Sequence, residues 1–180
     1  TFVKRLIKSA IIRVMGNCYF STMKASTISE LKQELLNLPA IQITELCLRL
    51  ARFKKENKEL LTFLLFEAHD LDSYIANVKK EMDDLFETIN KSNVYFVKKT
   101  LRKILRITNK FIRYSGSATV ETELLLHFCS TVKEMGSAVN CNAIIKNIYQ
   151  NQLKKINKSI AGMHEDLQYD YLKEVKQLHE

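Results

Sequence analysis

The side chains with the widest chemical reach in this 180-residue chain are its four histidines and four cysteines. Metal sites and nucleophilic centres need such residues at short, regular spacings, because several ligands must reach one point from one or two elements. His69, His127, His164 and His179 lie far apart, and none belongs to an HExxH or a Glu-x-x-His pair. The densest polar constellation is Glu67, His69, Asp70 and Asp72, which could offer a metal two or three ligands. A helix junction with capping aspartates accounts for the same residues without a metal. His164, Glu165 and Asp166 follow Gly162, where acids help a helix to start. Cys18, Cys47, Cys129 and Cys141 are irregularly spaced with no CxxC pair, so they read as reduced thiols. Three of the four fall in or beside apolar helical patterns, where a free cysteine is expected to be buried as a small hydrophobe. The glycines are isolated, which leaves no phosphate loop, and no elbow motif frames a serine or threonine. Neither catalysis nor a metal nor a cofactor is expected.

The remaining chemistry is charge. The stretch NVYFVKKTLRKILRITNKFIRYSG, residues 93 to 116, holds seven bases and no acid. At about 100° per residue, Val94, Val97, Leu101, Ile104, Leu105, Thr108, Phe111 and Ile112 form one mostly apolar arc. Lys98, Lys99, Arg102, Lys103, Arg106, Lys110 and Arg113 fall in a neighbouring sector of about 140° and make a single ridge. Like charges at i and i+4, as in Lys98 with Arg102 and Arg102 with Arg106, repel by a few tenths of a kcal/mol per pair. Something should therefore lie opposite them. The internal claimants are Glu81, Asp83, Asp84 and Glu87 on the preceding helix, which should run antiparallel beside the ridge. The external ones are nucleic-acid phosphates or the acidic surface of a protein partner. Tyr95, Phe96 and Tyr114 border the ridge, as in single-strand binders. No RNP-like strand, GXXG loop or convincing helix-turn-helix accompanies them.

The elements that must carry these residues are helices. Only four glycines and one proline interrupt a chain that is 46% hydrophobic and 27% charged, with a net charge of +8. Residues 1 to 22 are basic, acid-free and amphipathic, and read as an N-terminal extension, a packed helix or a stretch upstream of the true start at Met23. From residue 23 to 180 a single helical domain is expected. Thr27 and Glu30 have capping-box spacing ahead of Leu31, Leu35 and Leu36, and Pro39 closes that helix. A second helix is predicted from about Ile41 to Lys55. Asn57 is placed as the cap of a third, ELLTFLLFEA, whose nearly all-round hydrophobicity marks it as central to the core. Asp70 or Asp72 should cap a fourth through Leu71, Tyr74, Ile75, Val78, Met82, Leu85, Phe86 and Ile89. Ser92 opens the basic helix and Gly116 suits a left-handed C-cap. Three more follow, near Thr119 to Gly136, Asn142 to Ala161, and Glu165 to Leu178. The fold class is all-α: about seven to eight helices in an antiparallel bundle or a short TPR/HEAT-like stack of helical hairpins. No stretch approaches the roughly 18 uninterrupted apolar residues of a membrane span.

Residues 27 to about 136 resemble a family of small all-helical bacterial proteins of unassigned function, on the stretches LRLARFKKENKELLTFLLFEAHD and YFVKKTLRKILRITNKFIRYSG. The family pattern begins near Met23. The resemblance implies an intracellular bacterial origin and a helical fold, and it carries no functional residue. The sequence thus reads as a cytoplasmic, non-enzymatic protein-interaction module that binds a protein partner or itself. Nucleic-acid binding through the basic ridge at 93–114 is the alternative.

Overall fold

The computed structural model describes residues 24–90, 92–136 and 142–179, and the expectations for residues 1 to 22, for Cys18 and for Cys141 lie outside them. The described residues form eight α-helices and no strand. They are α1 (Ile28–Leu36), α2 (Ala40–Phe53), α3 (Lys55–Thr62), α4 (Leu71–Glu87), α5 (Val94–Ser115), α6 (Ala118–Glu134), α7 (Ala143–Ile160) and α8 (Glu165–His179). A five-residue π-helical segment, Phe63–Glu67, continues α3. The chain divides into two compact units, one ending at Arg49 and one starting at Leu50. α1, in the first unit, and α2, which runs across the division, bury none of their side chains.

Side-chain capping is seen at four of the eight helix starts, those of α1, α4, α5 and α7. Thr27 and Glu30 complete a reciprocal capping box: the Glu30 backbone donates to Thr27 Oγ1 at 3.3 Å, and the Thr27 backbone to Glu30 Oε2 at 2.8 Å. Asp70 caps α4, its Oδ1 accepting from the Ser73 backbone at 3.0 Å. Asn93, rather than the expected Ser92, caps α5 through the Tyr95 backbone at 2.8 Å. Asn57 does not open α3; Lys54 holds that position, and the Asn57 amide donates instead to the Leu50 carbonyl at 2.9 Å. Gly116 ends α5 at φ 60°, a left-handed turn that any Cβ would strain.

The second unit is a bundle around α6, which packs against α4, α5, α7 and α8. The contacts of α6 with α4, α5, α7 and α8 are consistent with a bundle, and those with α4 and α8 are also the ones that successive hairpins make in a short stack. Val120, Leu124, Leu125, Phe128 and Cys129 on α6 are shut off from solvent, and Thr122 is buried among them. Their positions span about 200° of the helix, and the remaining side, with Glu123, His127 and Glu134, is only partly covered or exposed. The surrounding helices each offer one stripe: Tyr74, Val78 and Met82 on α4, Val97, Leu101 and Ile104 on α5, Ile145, Leu153 and Ile156 on α7, and Tyr171 and Val175 on α8.

Two expectations are corrected by this arrangement. The FLLF segment is not central: Phe63 is buried against Tyr74 at 4.7 Å between ring centroids, but Leu64, Leu65 and Phe66 are exposed. The apolar run suits a core helix, yet the π-helical turn presents only one of its four large side chains inward. Cys129 is buried as a core residue should be, whereas Cys47 is exposed on α2.

Candidate functional site

The arc predicted for α5 faces the core: Val97, Leu101, Ile104, Leu105 and Thr108 are buried. Phe111 and Ile112 are partly buried, and Val94 at the start of the helix is exposed. That orientation turns the basic flank outward. Lys98, Lys99, Arg102, Lys103 and Arg106 line a groove of about 850 Å³ together with Tyr95, Phe96, Thr88, Asn90, Thr100 and Ile144. Thr88 and Asn90 come from the end of α4 and the turn after it, and Ile144 from the first turn of α7. The groove is thus recessed between three elements, with α5 as its floor. No aspartate or glutamate is among the residues that line it.

The internal claimants do not reach the ridge. Asp83 bonds His127 of α6 at 2.7 Å, and among the described residues no ion pair joins Glu81, Asp83, Asp84 or Glu87 to a base of α5. The reason is rotational. α4 packs through Ile75, Val78, Met82 and Phe86, which leaves Glu81, Asp84 and Glu87 on its exposed side.

Two of the seven predicted bases stand apart from the groove. Lys110 donates to Glu59 Oε2 of α3 at 2.7 Å and lies 4.8 Å from the Phe111 ring centroid. Tyr114 donates to the same carboxylate oxygen at 2.9 Å, so this third predicted aromatic belongs to the Glu59 cluster and not to the groove. Arg113 is exposed beyond the end of the groove and has no ion pair among the described residues. Sequence reasoning missed Glu59, whose partner Lys110 is 51 positions away, and the walls formed by Thr88, Asn90 and Ile144.

The Glu59 cluster has a measurable consequence. The hydrogen bond from Lys110 holds the Glu59 carboxyl below its ordinary value of 4.5, with partial burial opposing and Tyr114 assisting. Burial and the bond to Glu59 raise the Tyr114 hydroxyl to about 12. A carboxyl depressed in the folded state contributes its stability in full above its unfolded value and loses it as pH falls through the folded one. Glu59→Gln is therefore expected to make urea stability less sensitive to pH below about 4.5. An unchanged acid limb would contradict that role.

A second cavity, about 700 Å³, lies among α4, α6 and α8 and is lined by Lys79, Glu123, His127 and Glu174 among others. Its charges are matched from within. Lys79 donates to Glu123 Oε2 at 2.6 Å and Tyr171 to Glu123 Oε1 at 3.0 Å. Burial, and then the neighbouring Glu123, raise the Glu174 carboxyl above its usual value. The constellation around His69 stays a helix junction: Asp70 is its cap, held below the usual carboxylate value first by the Ser73 side chain and then by the Ser73 backbone. Among the described residues no group of three or more His, Cys, Asp or Glu side chains is arranged to hold a metal ion, and no helix is long and apolar enough to cross a membrane. No family model, curated protein or solved structure matches the chain.

Proposed function

We propose that this protein is a cytoplasmic binding protein that takes a nucleic-acid backbone into the α5 groove, by recognition rather than catalysis. The supporting observation is the groove itself, where five bases stand together with no acid among the lining residues. Burying such a set against phosphates releases the counterions condensed on the nucleic acid, which is the main source of affinity in sequence-independent binding. Protein interiors and ordinary surfaces pair or intersperse their charges, and the Lys79–Glu123 and Lys110–Glu59 pairs show this chain doing so elsewhere. The reduced state expected of the cysteines suits a cytoplasmic location.

The test is a salt titration of binding to a labelled mixed-sequence oligonucleotide, followed by fluorescence anisotropy. If each of the five bases neutralises one phosphate, log K should fall against log salt with a slope of about −3.5 on a single strand and about −4.5 on a duplex. No binding at low salt would sink the reading.

A second reading, a protein-interaction module that includes self-association, is favoured by the apolar surface of the first unit. Ile28, Leu31, Leu35, Leu36, Ile41, Leu46 and Leu48 are all exposed there. Seven exposed large apolar side chains on two helices are more than scattered surface residues need account for, and such surface marks interaction sites where it is continuous. A monomeric mass that holds across protein concentration, with no partner captured, would count against it.

A further inference from the structure

The groove has two features that a bare phosphate-binding surface does not need. Tyr95 and Phe96, consecutive residues in the first turn of α5, line it and are 61% and 45% exposed. The two rings stand edge to face, with centroids 5.6 Å apart and planes at 76°. In that arrangement the edge of one ring meets one face of the other, so each ring keeps at least one face uncovered by its partner. Large aromatic side chains left in water cost hydrophobic free energy, and nothing in the fold requires these two, since α5 buries its own stripe without them. A pair of open π faces next to cations offers each a stacking partner: base planes for the rings, phosphates for the bases of the ridge.

The second feature is scale. From Lys98 to Arg106 the helix rises about 12 Å, a small part of the roughly 34 Å of one duplex turn. A helix that reads a duplex must stand proud of its domain to enter a major groove about 12 Å wide. Here α5 is the floor of a recess bounded by Thr88 and Asn90 on one element and Ile144 on another. The bases of a duplex are already stacked on one another and offer no open face to Tyr95 or Phe96. An unpaired strand can both enter the recess and turn its bases onto the rings.

We infer that the groove is selective for single-stranded nucleic acid, with Tyr95 and Phe96 as the platform on which unpaired bases stack and Lys98, Lys99, Arg102, Lys103 and Arg106 as the phosphate contacts. This rests on the backbone-binding reading above and adds strand state to it. DNA and RNA share the recognised chemistry, bases with open faces on an anionic backbone.

The test uses the full chain and a short mixed-sequence oligonucleotide as DNA and as RNA, each as a single strand and as its blunt duplex, at one low salt concentration. The single strand is expected to bind at least tenfold more tightly than the duplex. Tyr95→Ala and Phe96→Ala should each weaken single-strand binding by roughly tenfold and leave the weaker duplex binding alone. Tyr95→Phe should restore the affinity, because the π face and not the hydroxyl carries the contact. Both side chains are exposed, so circular dichroism of the variants should match the parent chain. A tighter ribose or deoxyribose arm would name the source of the strand.

Equal affinity for duplex and single strand, or Tyr95→Ala and Phe96→Ala variants that bind the single strand as the parent does, would overturn the inference while the backbone reading stands. Binding to neither form, with capture only by vesicles of anionic phospholipid or by an acidic protein, would overturn both.

Discussion

Replacing Phe128 by alanine is expected to lower the unfolding free energy by about 3–5 kcal/mol, the range for deleting a large aromatic from a packed core. Phe128 is fully shut off from solvent on α6, and its ring sits 5.7 Å from that of Phe86 across the α4 contact. Four helices close around this one, so no single neighbour can slide inward to fill the space. The cost should fall at the upper end for that reason. A domain of this size has only about 5–15 kcal/mol in hand. Urea denaturation should show the midpoint move with little change in slope. The contrasting variant is Phe66→Ala, on the π-helical turn, which removes a ring that is 67% exposed and should alter stability by no more than about 0.5 kcal/mol. Equal losses at the two positions would mean that α6 is not the centre of the fold.

The second large effect concerns binding. Reversing Arg102 and Arg106 together to glutamate would turn the groove's five positive charges into three positive and two negative. Each reversal removes a phosphate contact and adds a repulsion, so nucleic-acid affinity at low salt should drop by about a hundredfold or more, and the salt slope should become shallower by about 1.4 on a single strand. Both side chains are exposed and without ion pairs among the described residues. Thermal unfolding should therefore stay within the small range of surface substitutions. Arg113→Glu supplies the control. It lies on the same flank of α5 but outside the groove, and its reversal should change affinity far less than either arginine inside. If all three positions behave alike, the determinant is the net charge of the chain and not the groove.

How much of this was legible in the sequence differs from feature to feature, for physical reasons. The helices of the second unit announce themselves because a 3.6-residue stripe is a local property: Tyr74 through Phe86 and Val97 through Thr108 are read correctly from spacing alone. The capping box at Thr27 and the left-handed Gly116 are equally local. The centrality of α6 was not legible. Glu121, Glu123 and His127 interrupt its apolar run, and each stays only partly covered, Glu123 and His127 beside the cavity that α6 shares with α4 and α8. FLLF is more uniformly apolar and was the more persuasive candidate, but hydrophobicity cannot reveal a π-helical turn that points three side chains outward.

The basic ridge was legible as residues but not as a site. Its angular position on α5 follows from sequence, whereas the partner of Lys110 depends on how α3 returns to the far end of α5. The acids of α4 were the natural neutralisers by proximity in the chain. They fail because an antiparallel hairpin fixes only which helices are adjacent, while the rotation of each about its axis is set by its buried stripe. The groove walls needed Ile144, which folding brings from a helix two elements further on.

The burial of α6 from both flanks also bears on how the chain is made. On the ribosome α6 is complete before α7 and α8 exist, and at about 5–20 residues per second its unmatched apolar sides stay uncovered for a few seconds. During that interval α4 and α5 can shield one side of α6, while the side that α7 and α8 come to cover is still bare. The bundle is therefore expected to close late and in a single step, with the terminal hairpin acting as the latch. Translation stalled after Glu134 should yield a chain that recruits holdase chaperones, and one released after His179 should not.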